Sequence, residues 1–203
     1  MRLLDYLFPP REDEVLVRNA DHAAFTARMQ PYTVYKTDPA ATVLLRYHDP
    51  VVRAALHEAK YHGSRAAFTL LAEVLAQYLE TFTDNSVHLI PVPLGRARLR
   101  ARGFNQVEEV ARRACMRSKQ HIDVSLITRT RETTSQVSLP REAREGNMRG
   151  AFGATQQLPA HEPGDIQYIV LDDVLTTGAT LQAALDVLKA AGVQHISALA
   201  LAH

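Results

Sequence analysis

The chain has a single cysteine, Cys115, among its 203 residues, which excludes a disulfide framework of the kind that holds small secreted domains together. It has no apolar run long enough to span a bilayer, so no membrane span is expected. No secretory leader is read at its start, and a reducing cytoplasm is the expected location. Charge of one sign is not in excess. The formal net charge is +1, so the field of the whole chain favours neither nucleic acid nor membrane, and any such binding must come from a local patch. There is no G-x-x-x-x-G-K-[ST], which argues against a P-loop nucleotidase, and no G-x-G-x-x-G after an expected strand, which removes the dinucleotide fingerprint. No internal repeat is evident. What is present is a 46% hydrophobic composition, enough for a full core. It suggests one enzyme-sized domain over residues 43–203 preceded by an extension over 1–42.

The most informative stretch is Tyr168-Ile169-Val170-Leu171-Asp172-Asp173-Val174-Leu175-Thr176-Thr177-Gly178-Ala179-Thr180. Four apolar residues read as a parallel strand buried on both faces. Two carboxylates follow at its carboxyl end. Thr176, Thr177, Gly178, Ala179 and Thr180 then form a small, hydroxyl-rich loop that enters a helix, whose unpaired N–H groups and positive dipole end suit a phosphate monoester. Asp172 and Asp173 are placed to accept from vicinal ribose hydroxyls or to help hold a hydrated Mg²⁺. Adjacent acids beside a buried strand are costly unless paired or ligated. Together these features imply a ribose 5-phosphate ligand.

Along the rest of the chain, residues 1–40 read as an irregular segment with a short opening helix and an acidic stretch at Glu12, Asp13 and Glu14. Strands are expected over Val43 to Tyr47, Val87 to Val92, Ile122 to Ile127, Tyr168 to Leu171 and Ile196 to Leu201. Val52, Ala55, Leu56 and Ala59 recur at helical spacing, and Phe68, Leu71, Leu75, Leu79 and Phe82 do so again, with a break near Gly63. Further helices are expected over Phe104 to Cys115 and Thr180 to Ala191, the latter closed by Gly192. Alternating strands and helices predict an α/β fold with a doubly wound, mostly parallel sheet. Cys115, at a helix end, reads as a packing residue.

Two further segments carry charge. Ile90 to Gln106 runs from a strand through a proline-fixed turn into Arg96, Arg98, Arg100 and Arg102 at alternate positions of a loop. Pyrophosphate is a natural partner, because guanidinium forks match phosphoryl oxygens and stabilise leaving charge. A solvated basic loop and a groove for a nucleic-acid backbone are the other readings. The second segment, Thr128 to Ala154, holds Arg129, Arg131, Gln136, Arg144 and Asn147 without a strong period, and reads as a lid over the site or as a plain loop or extra hairpin.

Taken jointly, P-V-P-L-x-R-x-R-x-R-x-R-G-F-N-Q, the R-x-R-x(4)-Q-x(2)-L-x(4)-R-x(2)-N-x(2)-G-A-F pattern from Arg129 to Phe152, and V-L-D-D-V-L-T-T-G-A-T resemble the ComF family. These are type I phosphoribosyltransferase-like proteins associated with competence and with DNA uptake or utilisation. The resemblance implies a type I phosphoribosyltransferase-like fold, with phosphoribosyl pyrophosphate as ligand and Mg²⁺ as cofactor. Pro91 to Arg102, including Pro93 and Leu94, would be the pyrophosphate loop, Thr128 to Ala154 the flexible loop, and Asp172 to Thr180 the sugar-phosphate loop. Asp172 and Asp173 would carry the metal and catalytic roles. A non-catalytic competence factor that binds single-stranded DNA or senses nucleotides, working with the competence machinery, is the alternative. Many relatives carry an N-terminal cysteine-rich zinc module, but residues 1–45 contain no cysteine, so no zinc module is expected here. His57-Glu58 and His62 are spaced one residue too far apart for H-E-x-x-H. The position that holds a base-handling acid in purine-specific relatives is Thr176, a poor general base.

Overall fold

The structure is a computed structural model that describes residues 10–83, 86–131, 150–155 and 166–203. The chain opens with α1 (Glu12–Arg18) and α2 (His22–Thr26), followed by β1 (Tyr32–Val34) and β2 (Ala41–Leu45). Next come α3 (Pro50–His62), α4 (Arg65–Leu79), β3 (Ser86–Pro91), α5 (Arg96–Arg102), α6 (Gln106–Ser118), β4 (His121–Ile122) and β5 (Ile127–Arg129). The last elements are β6 (Phe152–Ala154), β7 (Ile166–Val174), α7 (Ala179–Ala190) and β8 (Ile196–Ala202). Six strands form one sheet in the order β1-β2-β8-β7-β3-β4, parallel except for β1, which runs antiparallel to β2. The mostly parallel α/β sheet matches the sequence expectation.

The order of the strands positions the site. From β3 the chain proceeds to β4 on one side, whereas from β7 it proceeds to β8 on the other. The carboxyl ends of β3 and β7 therefore flank a switch point, where open α/β sheets leave a crevice. Helices α3, α4 and α6 cover one face with a core that includes Val52, Phe68, Leu71, Leu75 and Val110. Helix α7 and the small antiparallel pair β5–β6 cover the other, with Leu126, Phe152, Leu181, Leu185 and Leu188.

Local chemistry accounts for the element ends. Asp49 caps α3 by accepting from the Val51 and Val52 amides at 2.8 and 3.2 Å, with Pro50 in the first turn. Gly63 ends it at φ +58°, and an added Cβ there would meet the Phe104 ring at 3.1 Å; this is the break anticipated between the two helical stretches.

Three segments depart from the sequence expectation. Residues 10–40 are not irregular: two short helices and an edge strand lie there, and Val17 and Phe25 enter the core. Glu12, Asp13 and Glu14 form the first turn of α1, where acids complement the dipole. Ile122 to Ile127 is not one strand, because the Asp123 carboxylate accepts from the Ser125 and Leu126 amides and turns the chain. It leaves β4 on the main sheet and β5 on the second one. The arginine stretch is not a loop but the helix α5.

Candidate active site

Asp172 and Asp173 immediately precede the last residue of β7, with Asp172 in register with Ala200 of β8. Their carboxylates are tied down locally. Asp172 Oδ1 accepts from the Asp173 amide at 2.9 Å, and Asp173 Oδ1 from the Val174 amide at 2.8 Å. Asp173 Oδ2 accepts from Gln106 Nε2 at 2.8 Å and lies 3.5 Å from Lys60 Nζ. Burial, reinforced by the neighbouring Asp173 charge, pushes the Asp172 carboxyl up to about 7. The Asp173 charge in turn raises Lys60 against the opposing effect of burial.

Beyond the acids the chain bends through Leu175 to Gly178, anchored by the Leu175 amide donating to Ala202 O at 2.9 Å. Gly178 sits at φ +86° immediately before α7 and has no side chain to cap it. Ala179 and Thr180, in the first turn of this twelve-residue helix, line the crevice and bring the helix start to it.

The opposite wall comes from the end of β3 and the two helices after it. Asn105 Nδ2 donates to Val92 O at 3.0 Å while its Oδ1 accepts from the Val107 amide, so one side chain fixes the strand exit and caps α6. On α5, Arg98 and Arg102 are one helical turn apart and share the side that lines the crevice. Arg96 and Arg100 are exposed and do not line it. Arg102 donates to Gln106 Oε1 and stands 5.7 Å from the Tyr61 ring centre, and burial lowers its pKa. A connected set, Arg102 to Gln106 to Asp173 to Lys60, therefore links the arginine wall to the acids.

The result is a cleft of about 390 Å³. Among the residues singled out from the sequence, Pro93, Leu94, Arg98, Arg102, Arg129, Asp172, Asp173, Thr176, Gly178, Ala179 and Thr180 line it. Arg129 enters from β5, stacked over Phe152 with 5.3 Å between the guanidinium and the ring centre. Thr177 does not line it; its hydroxyl accepts from the Ala179 amide at 3.4 Å. Arg131 is exposed outside it. Gln136, Arg144 and Asn147 lie outside the described residues. Sequence reasoning missed Lys60 and Tyr61, and gave Gln106 no role although it closes the F-N-Q motif.

The histidine spacing is corrected as well. His57, Glu58 and His62 present ligand atoms within 4.8 Å of one another, although His57 and His62 are five residues apart. Glu58, 1% exposed, is however held by both forks of Arg11, at 3.0 and 2.9 Å. A guanidinium already neutralises the one buried carboxylate that a cation would need.

Residues 58–203 match the phosphoribosyl transferase domain. The chain belongs to that family. Relatives include the DNA utilization protein YhgH of Escherichia coli O157:H7, 31% identical over 65% of this chain and 58% of the relative. The protein of the same name from Shigella flexneri is 30% identical over the same shares. Competence protein F of Haemophilus influenzae is 29% identical over 56% of this chain and 49% of its own length. The chain thus spans about half of the length of these relatives. Their names, with the domain match, support the ComF resemblance carried by the motifs. Among the described residues no helix is long and apolar enough to cross a membrane.

Proposed function

We propose that the cleft binds phosphoribosyl pyrophosphate with Mg²⁺ and supports transfer of the phosphoribosyl group to an acceptor, in a protein that works in the cytoplasm on competence or nucleotide salvage. The observation that carries this reading is the pairing, across one cleft, of a glycine-hinged helix start after two strand-end acids with two inward arginines. The first suits a 5-phosphate and the second a diphosphate.

The acids fit a hard cation. Both are oxygen donors, Asp173 is largely satisfied by Gln106, Lys60 and Val174, and burial beside Asp173 leaves the Asp172 charge poorly compensated. Mg²⁺ typically keeps several waters and binds through one or two carboxylates plus substrate phosphates. Asp172 and Asp173 would hold it, and when bound the ion supplies neutralisation of the diphosphate charge. The chain's own part is positioning and electrostatics. Gln106 and Lys60 fix Asp173, the acids orient the ribose hydroxyls, and Arg98 and Arg102 meet the charge that develops on the departing pyrophosphate. Thr176 offers no carboxylate for the acceptor's proton, so the acceptor must bring its own nucleophile or find a base elsewhere.

A second reading rests on Arg96 and Arg100, which are exposed beside the half-exposed Leu99. Together with relatives named for DNA utilization and competence, they suit contact with single-stranded DNA without using the cleft.

The deciding experiment is thermal unfolding with phosphoribosyl pyrophosphate, with and without Mg²⁺. A ligand at about 100 times its dissociation constant adds about 2.7 kcal/mol. A Mg²⁺-dependent rise that disappears in Asp172→Asn with Asp173→Asn, while that variant keeps its native circular dichroism, is the expected outcome. No shift in the parent protein would overturn the reading.

A further inference from the structure

The loop between β7 and α7 is braced from a part of the chain outside the matched domain. Lys36, in the connection between β1 and β2, donates from Nζ to the Thr176 carbonyl at 2.6 Å. Its own carbonyl lies where a Cβ on Gly178 would come within 2.4 Å. The same ammonium is 3.3 Å from His203 Nε2, and His203 Nδ1 is 2.7 Å from the Leu175 carbonyl.

These partners fix the histidine tautomer. An ammonium only donates and a carbonyl only accepts, so His203 accepts at Nε2 and carries its proton on Nδ1. The bend is thereby gripped through two consecutive carbonyls, Leu175 by His203 and Thr176 by Lys36. Neighbouring contacts hold this β1–β2 connection in place as a strap along the loop. The Asp38 amide donates to Gln182 Oε1 at 2.7 Å, and Lys189 Nζ donates to the Asp38 carbonyl at 2.7 Å. Both partners are on α7, the helix whose first turn faces the cleft.

We propose that Lys36, backed by His203, is a positioning residue of the phosphate end of the cleft. By holding the Thr176 and Leu175 carbonyls on the side of the strap, it keeps the amides that follow Gly178 turned toward a bound phosphate. It acts through the loop backbone and leaves the arginine wall untouched. This deepens the proposed function, since it takes the 175–180 loop as the seat of a 5-phosphate.

The two ends of the cleft supply the test. Calorimetric titrations of the full chain with ribose 5-phosphate and with inorganic pyrophosphate are compared for the parent protein, Lys36→Met and Lys36→Arg. Lys36→Met is expected to weaken ribose 5-phosphate about tenfold, the order expected on losing one charge-assisted hydrogen bond, and to leave pyrophosphate within twofold. Lys36→Arg, which keeps a donor and a charge, should recover most of the loss. A general structural defect would weaken both ligands, and unchanged affinity for both would mean that the strap is passive; either result overturns the proposal while the parent's binding still stands. If the parent protein binds neither probe, the proposed function falls and this inference falls with it. His203→Asn, which can still donate to the Leu175 carbonyl, serves as the second variant and should weaken ribose 5-phosphate less than Lys36→Met does.

Discussion

The two ends of the cleft are built from different materials. At the β7 end the cleft is lined by a helix start and mostly short side chains, and these are held by the strap, His203 and the sheet. At the α5 end they are guanidinium groups on a seven-residue helix that buries none of its own residues. Backbone donors are placed once the chain is placed, whereas long arginines surrender rotamer freedom each time they bind. Precision therefore resides at the first end and charge at the second. The first end should be brittle to changes of shape and less sensitive to salt, the second tolerant of shape and more strongly dependent on charge.

The sharpest way to break that contrast is Gly178→Ala. The residue combines φ +86° with a Cβ position 2.4 Å from the Lys36 carbonyl. Left-handed strain of about 1–2 kcal/mol adds to an overpacking cost of about 1–3 kcal/mol. Urea unfolding should show a loss of about 2–5 kcal/mol, the sum of those two costs, and ribose 5-phosphate binding should vanish with it. A fully stable variant that binds normally would show that the loop is not braced.

Next in size are the arginine pairs. Arg98→Ala with Arg102→Ala should weaken pyrophosphate by about 10- to 100-fold, the worth of one or two charge-assisted bonds. Arg96→Ala with Arg100→Ala should leave it unchanged, because those side chains do not line the cleft. The outer pair reads on the second function instead. If single strands bind there, the slope of log affinity against log salt should flatten by about 0.7 for each phosphate that is no longer neutralised. Equal effects of the two pairs on pyrophosphate would erase the distinction between inner and outer faces.

The acids between the two ends give a pH-dependent effect. With the Asp172 carboxyl raised to about 7 from its ordinary 3.8, the folded chain holds a proton that the unfolded chain has released across that window. Stability without ligand should therefore fall as pH rises from about 4 to about 7, and Asp172→Asn should flatten the decline. A carboxylate held charged in the fold, by contrast, would leave stability nearly level over the same range, because the unfolded chain is already largely ionised there. Urea midpoints at several pH values in this interval separate the two.

The same contrast explains what could be read from the sequence. The β7-to-α7 end was legible because strand, acids, bend and helix start are consecutive residues, and each carries its own local signal. The α5 end was not. Arginines at alternate positions imitate an extended or looped segment, and with Leu99 43% exposed the helix lacks an apolar stripe to betray its period. Its division into an inner and an outer pair exists only once the helix is formed. Lys60, Gln106 and Lys36 were illegible for another reason. Gln106 meets Asp173 across 67 residues and Lys36 meets Thr176 across 140, so their roles arise from topology and leave no mark in their own neighbourhood. The N-terminal helices, seven and five residues long, are too short to announce themselves without the core they cover.

Cys115 offers the finest test of whether the two ends move as one. It lies on α6, the helix whose first residue, Gln106, carries the link to Asp173, and its thiol donates to the His121 carbonyl at 3.5 Å. Burial pushes that thiol up to about 11 from an ordinary 9.0, which lowers the reactive thiolate about a hundredfold before access is considered. Alkylation in the native state should therefore proceed mainly through transient opening. If α6 opens together with the arginine wall, pyrophosphate should slow labelling more than ribose 5-phosphate does at matched saturation, since in the proposed function pyrophosphate is the ligand that engages Arg98 and Arg102. Equal slowing by both ligands would instead mean that Cys115 is exposed only when the whole chain unfolds, and the two ends, though built differently, would then stand or fall together.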